Sequence, residues 1–333
     1  MFTQSGPAQR AVTRRKLMES AAGSAAVVAA GLWGARPAHA SAPLKIICPF
    51  TSGSGADVIA RHFGERLSVS LRRPVIVDNK TGGNGVIAVQ ALRSQPPDGS
   101  TILLGNVSIM AINPVLYRNL GYQPAQDFLP LSGVYRGSSV FAVHPGSQIT
   151  SLEQLVARAK QAHVSVGSYS PGYRLAAEYL AGLANVKFTD VPYRGQAPLL
   201  ADLMGGQMDA AVLEYGGAMP SIQAGRVRAL AITSEQRHPQ LPDLPTVKEL
   251  GYPEYYHYGW TAFFAHPQTP AKTAQGLTDA ISATLRDPGT IGYIHKTVLG
   301  EPMPLAPGQL SSFIQTETDR FARVARAAGM EPI

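Results

Sequence analysis

Between residues 44 and 110, short apolar runs alternate with longer stretches whose apolar residues recur every three or four positions. Lys45–Phe50 is apolar and partly β-branched, which predicts a strand covered on both faces. From Asp57 to about Leu71, Val58, Ile59, Phe63, Leu67 and Leu71 fall at helical spacing. Val75–Val77 predicts a second strand, Val86–Arg93 a second helix and Thr101–Gly105 a third strand. Each strand runs into a polar or glycine-rich loop: Thr51–Ala56, Asp78–Gly85 and Asn106–Ser108. In an open α/β sheet that shared edge is where ligands bind.

The alternation continues. Phe128–Val143 is a longer extended stretch. A helix over 151–162 starts with Ser151 as cap and Gln154 three residues on. Val164–Ser168 is a strand, and the loop Ser168–Gly172 leads into a helix at Tyr173–Leu183. Thr189–Gly195, helix 196–204, and strands at Ala210–Glu214 and Arg228–Thr233 follow. Trp260–Ala265 reads as a strand returning toward the start of the chain, before helices at about 270–285, 290–299 and 307–328. Strands alternating with helices predict an α/β protein with parallel sheets covered on both faces. The expected division is 41–140 with 265–333 as one discontinuous domain and 141–264 as a second, inserted one. Crossings near Ser139–Val143 and Ala262–Ala265 would form a hinge that suits closure around a ligand.

Residues 1–40 are expected to be an address rather than fold. Thr13-Arg14-Arg15-Lys16-Leu17-Met18 is a twin-arginine pattern, Ala21–Trp33 a short, weakly apolar core, and Ala38-His39-Ala40 an A-x-A cleavage site. Cleavage after Ala40 would release a 293-residue periplasmic chain. Five cations and one acid lie in that segment, so +4 of the formal +7 belongs to it and +3 to the mature chain. No mature segment carries a Lys/Arg run with interleaved aromatics, which argues against nucleic acid. Cys48, the only cysteine, lies in an apolar strand and reads as a buried small hydrophobe.

Candidate chemistry is confined to loops. Thr51, Ser52, Gly53 and Ser54 carry little bulk, so main-chain N–H groups can approach an anion at the helix start. Asp57 would cap that helix or sit in its first turn. Gly83-Asn84-Gly85-Val86-Ile87-Ala88 matches a dinucleotide fingerprint, but it follows the second strand and lacks the acid after the next one. It reads as a ligand-holding loop, with no cofactor expected. No nucleophile elbow and no metal-ligand spacing of the eight histidines is present, so no catalytic residue and no metal is assigned. Asp57 and Glu214 are a candidate carboxyl pair across two domains. The aromatic run Tyr252–Trp260 reads as packing before it reads as a stacking platform.

The chain resembles the substrate-binding proteins of tripartite tricarboxylate transporters, the Bug or TctC-like family. The resemblance is carried by Pro49-Phe50…Gly53…Asp57-Val58-Ile59-Ala60-Arg61, Pro74–Asn79 with Gly82–Gly85, and Pro97-Asp98-Gly99. It continues through Val191–Gly195, Asp202–Asp209, Gly225–Ala231, Leu241–Thr246 with Glu249 and Gly251, and Ala327–Met330. It implies a two-domain periplasmic binding protein fold, a Venus flytrap of type II-like arrangement with two crossover strands as hinge. It implies capture of a small carboxylate, delivery to membrane permease subunits, and no enzymatic activity; a monomer is expected. The alternative is an exported enzyme or ligand-sensing domain for a small organic acid on the same scaffold. In such a receptor, loops matching Phe50–Asp57 and Gly82–Gly85 pinch the carboxylate, and loops matching Ser168–Gly172, Tyr193–Gln196 and Glu214 face them. Candidate contacts are thus Thr51, Ser52, Gly53, Ser54, Asp57, Gly83, Asn84, Gly85, Ser108, Ser168, Tyr169, Tyr193 and Glu214. The chain departs from the family pattern at Ser54, at Ala56 before the aspartate, and at Glu214 where Asp is usual.

Overall fold

Ten strands and eleven α-helices follow one another in a computed structural model that describes residues 1–2, 42–327, 329–330 and 332. Residues 3–41, which hold nearly all of the expected export signal and its cleavage point, and Ala328 lie outside the described residues. The strands are β1 (Leu44–Cys48), β2 (Val75–Asn79), β3 (Thr101–Asn106), β4 (Leu129–Val143) and β5 (Ser165–Ser168). They continue with β6 (Thr189–Pro192), β7 (Ala210–Glu214), β8 (Arg228–Ile232), β9 (Tyr258–Ala265) and β10 (Glu301–Pro302). The helices are α1 (Gly55–Ser70), α2 (Val86–Arg93), α3 (Asn113–Leu116), α4 (Pro124–Asp127), α5 (Leu152–Ala159) and α6 (Pro171–Ala184). After them come α7 (Gln196–Met204), α8 (Tyr215–Gln223), α9 (Ala271–Arg286), α10 (Pro288–Thr297) and α11 (Pro307–Ala327).

The strands form two sheets that share β4. In the first, β1 lies parallel between β2 and β3; β9 pairs antiparallel with β3, and the first part of β4 with β9. In the second, β5 lies parallel between β6 and β7, and the end of β4 pairs antiparallel with β7 and β8. The expectation of parallel sheets therefore holds for three strands in each and fails for β4 and β9. Those two carry the chain between sheets or back again, and a returning strand without a crossover helix runs antiparallel.

β4 changes sheet at one bond. Arg136 to Ser138 pair with β9, while Ser139 to Ala142 pair with β7. β9 pairs within the first sheet along its whole length. One buried threonine ties the two crossings together. The Ser139 N–H donates to Thr233 Oγ1 at 2.8 Å, and the Thr233 hydroxyl donates to the His257 carbonyl at 2.8 Å. Main-chain bonds from Thr233 N–H to Ser139 and from His257 N–H to Thr233 complete the knot.

Each sheet packs helices against both faces. Ile59, Ala60, Phe63 and Leu67 of α1 bury their side chains with β1, β9 and α9. On the opposite face, α11 places Phe321 and Val324 with Ile109, Trp260 and Phe264. The second lobe has cores around Phe141, Val166, Leu180 and Val212, and around Val140, Leu199, Leu203 and Leu213.

Local boundaries differ from the sequence expectation for identifiable reasons. β1 stops at Cys48, because Pro49 has no N–H for the ladder. α1 begins two residues early, with Ser54 rather than Asp57 as cap: its hydroxyl accepts from the Asp57 N–H at 3.3 Å. α6 and α10 start on Pro171 and Pro288, whose fixed φ suits the first helical position. The helix Tyr215–Gln223 has no counterpart in the sequence reading, since Gly216, Gly217 and Pro220 break its pattern.

Candidate functional site

The loops after β1, β2 and β3 meet at one edge of the first sheet and face loops of the second lobe across a closed cleft. The β1 loop is built around Asp57, which is almost fully buried. Its carboxylate accepts from the Gly53 N–H at 2.9 Å, Asn79 Nδ2 at 2.8 Å and Arg61 Nε at 3.0 Å, with the Ser52 hydroxyl at 3.4 Å. Asn79 also donates to the Phe50 carbonyl at 2.9 Å, so the end of β2 holds both ends of the loop. Burial opposes ionisation of Asp57, but Arg61, the Gly53 amide and Asn79 outweigh it and hold the carboxyl below its ordinary pKa.

The β2 loop owes its shape to four consecutive positive-φ residues, Gly82 to Gly85. Gly85 has no alternative: its φ is 93°, and a Cβ there would stand 2.5 Å from Ile109 Cγ1. Asn84 is anchored twice. Its Nδ2 donates to the Tyr117 hydroxyl at 2.5 Å, and its carbonyl accepts from Asn113 at 2.9 Å.

The cleft contains two adjoining chambers that share Phe50, Asn106, Ser108, Tyr169 and Ser170. Thr51, Gly83, Asn84, Gly85, Ser108, Tyr169 and Tyr193 line the outer one, with Arg194. Ser54, Ser108, Tyr169 and Glu214 line the inner one. Nine of the thirteen candidate residues thus converge on the cleft. Ser52, Gly53, Asp57 and Ser168 line neither chamber. The first three form the internal scaffold of the β1 loop, and the Ser168 hydroxyl donates to Asp190 at 2.5 Å. Asp57 and Glu214 do not act as a pair, because Asp57 is spent on its own loop.

Several contacts close the cleft. Ser108 Oγ accepts from the Gly172 N–H at 3.2 Å and lies 3.5 Å from Ser170 Oγ. Thr51 packs on Gly195, and the Glu214 carboxyl packs on Gly55. Gln196 fixes the Glu214 backbone, accepting its N–H at 2.8 Å. The Glu214 carboxylate accepts a 3.3 Å bond from the Tyr135 hydroxyl, and burial raises its pKa to about 7.

Sequence reasoning missed most of the inner chamber: Tyr135, Tyr173, His257, Trp260 and Thr261 all line it. Tyr173 directly follows a loop that was identified. His257 and Trp260 belong to the aromatic run assigned to packing. That assignment holds for Tyr255, which stacks on Tyr179, and for Trp260, which donates to Glu317 at 3.2 Å. The same run also walls the cavity. His257 is kept neutral, its pKa pushed down to about 3 by burial and then by Arg320. Cys48 is free and buried, and burial pushes its thiol up to about 12. Among the described residues no cluster of His, Cys, Asp or Glu is arranged to hold a metal, and no helix is long and apolar enough to cross a membrane.

Two α/β lobes, a shared crossover strand and a closed interlobe cleft lined by glycine-rich loops define a solute-binding protein. A family model described as "Tripartite tricarboxylate transporter family receptor" matches residues 59–330, and the chain belongs to that family. Protein BugT of Bordetella pertussis is 31% identical over 313 residues, covering 92% of this chain and 94% of its own. The solved structure "R. palustris Rpa4515 with adipate" superposes with a TM-score of 0.83 at 31% identity, covering 87% of this chain and 98% of that one. MatC from Rhodopseudomonas palustris with bound malate superposes at 0.78 and 25% identity, covering 85% and 98%. The two-lobed binding fold expected from the sequence is the one found.

Proposed function

We propose that this protein is a periplasmic receptor that captures a small carboxylate in the cleft and hands it to membrane permease subunits. The observation that carries it is the outer chamber, which glycine-rich main chain at Gly83–Gly85 lines together with Thr51 and Arg194. Main-chain amides hold a carboxylate through charge-assisted hydrogen bonds that strengthen as the cleft excludes water. Family membership and the adipate and malate carried by the two neighbours support this reading. The same family membership makes the chain a receptor and not an enzyme. Residues 42–138 with 258–333 would form one lobe and 139–257 the other, which moves the second junction from Ala265 to Tyr258, where β9 begins. The receptor is expected to act as a monomer.

Thermal shift of the exported protein against carboxylates and their amides tests the reading. A ligand at a hundred times its dissociation constant stabilises by about 2.7 kcal/mol. Shifts with acids but not with their amides are expected. Equal shifts with both, or none with any acid, would remove the carboxylate from the function.

A further inference from the structure

The two chambers carry opposite charge. Among the described residues, Arg194 is the only charged side chain lining the outer one, and Glu214 the only one lining the inner one. No lysine or arginine lines the inner chamber among the described residues. The Glu214 carboxyl is left with the Tyr135 hydroxyl at 3.3 Å and with the main chain of Gly55 against it. A buried carboxylate without a cation is costly: the empty protein offsets that cost with a proton, and an occupant can offset it with a positive charge.

The walls around Glu214 suit a cation. Phe50, Tyr135, Tyr169, Tyr173 and Trp260 line the same chamber, and Tyr169 stacks on Tyr173 with ring centroids 4.2 Å apart. Aromatic faces attract ammonium groups, most strongly where water is excluded. They offer nothing comparable to a second carboxylate, which would share the chamber with Glu214 and find no cation there. At the chamber wall the buried Thr261 hydroxyl has no hydrogen-bond partner.

We propose that the ligand is a zwitterion, with its carboxylate in the outer chamber and an ammonium group held by Glu214 within the aromatic walls of the inner chamber. This rests on the receptor reading and narrows it: amino acids and betaine-like acids fit, and simple dicarboxylates do not.

Calorimetry of the exported protein at pH 8 with four acids of one chain length tests it. The acids are norleucine, 6-aminohexanoate, hexanoate and adipate. At least one of the two ammonium acids is expected to bind ten times or more tighter than hexanoate, and tighter than adipate. Hexanoate or adipate binding as tightly as both ammonium acids would overturn the inference and leave the carboxylate receptor standing. If no acid binds, the receptor reading fails and this inference with it. Glu214→Gln, checked for a cooperative melt no lower than the parent's, is expected to bring the ratio of ammonium acid to hexanoate affinity within about twofold of one. A ratio kept at tenfold would overturn the role given to Glu214.

Discussion

The Glu214 carboxyl of one lobe rests on Gly55 of the other: a Cβ on that glycine would stand 2.8 Å from each carboxylate oxygen. The backbone of Gly55 does not demand glycine, since its φ is not positive. The partner lobe does, because an ordinary side chain would occupy the place of the carboxyl. A residue at the first position of α1 is thereby tied to the chemistry of the opposite lobe.

Gly55→Ala is expected to leave the helix intact, as alanine is favoured there by about 1 kcal/mol, and to push the Glu214 carboxyl aside. The melting temperature of the empty protein should hold or rise, while ligand affinity falls about tenfold (roughly 1.4 kcal/mol). Calorimetry showing unchanged affinity would mean that the carboxyl has room to move.

The pKa of Glu214, raised to about 7 by burial, has a defined sign for stability. The folded state keeps its proton over a range in which the unfolded carboxyl has already lost it. Stability from this group is complete below the ordinary glutamate value, falls as pH rises, and is lost above about 7. Glu214→Gln removes the penalty, so the empty variant should gain on the order of 3 kcal/mol over the parent between pH 4.5 and 8. Urea midpoints at several pH values measure this; a gap that does not change with pH would contradict desolvation of the carboxyl.

Asp57 has the opposite sign. Its carboxyl is held below the ordinary value, so it stabilises the protein above about pH 4 and stops doing so in acid. Asp57→Ala leaves the Gly53 amide and Asn79 without their acceptor, at a cost of about 2–3 kcal/mol. The difference from the parent should be full at pH 7 and shrink below pH 4. Ligand binding should weaken as well, because the β1 loop loses its internal scaffold.

Gly85→Ala meets both a left-handed backbone and Ile109. Strain and overpacking together should cost about 2–4 kcal/mol. In an Ile109→Ala background, itself destabilised by the lost core side chain, Gly85→Ala is expected to cost only the backbone share, which denaturant titration of the single and double variants can separate. No added cost in that background would show that the backbone conformation costs nothing there.

Thr233 links both crossings, so Thr233→Val should be more disruptive than its shape suggests. It leaves the Ser139 amide and the His257 carbonyl unpaired at a cost of about 1–3 kcal/mol. Proteolysis of the unliganded protein near residues 139 and 257 should quicken; equal rates would argue against the knot as a hinge constraint.

Much of the frame was legible in the order of the residues. Strand and helix periodicities, the glycine loops and the sheet edge they share depend on residues close together in the chain, so Gly83–Gly85 and Thr51–Ser54 stood out before any folding was considered. The role of Asp57 was not legible, because its partner Asn79 lies 22 residues away and turns the carboxyl inward. Most of the inner chamber was hidden for the same reason: Tyr135, Tyr173 and the stretch His257–Thr261 come from three separate segments and join Glu214 only when the lobes close. Local sequence determined the elements, the glycine-rich loops at the sheet edge and the class of protein. The tertiary structure alone decided which polar groups are consumed by the frame and which face the ligand, because that depends on partners brought together by packing across the cleft.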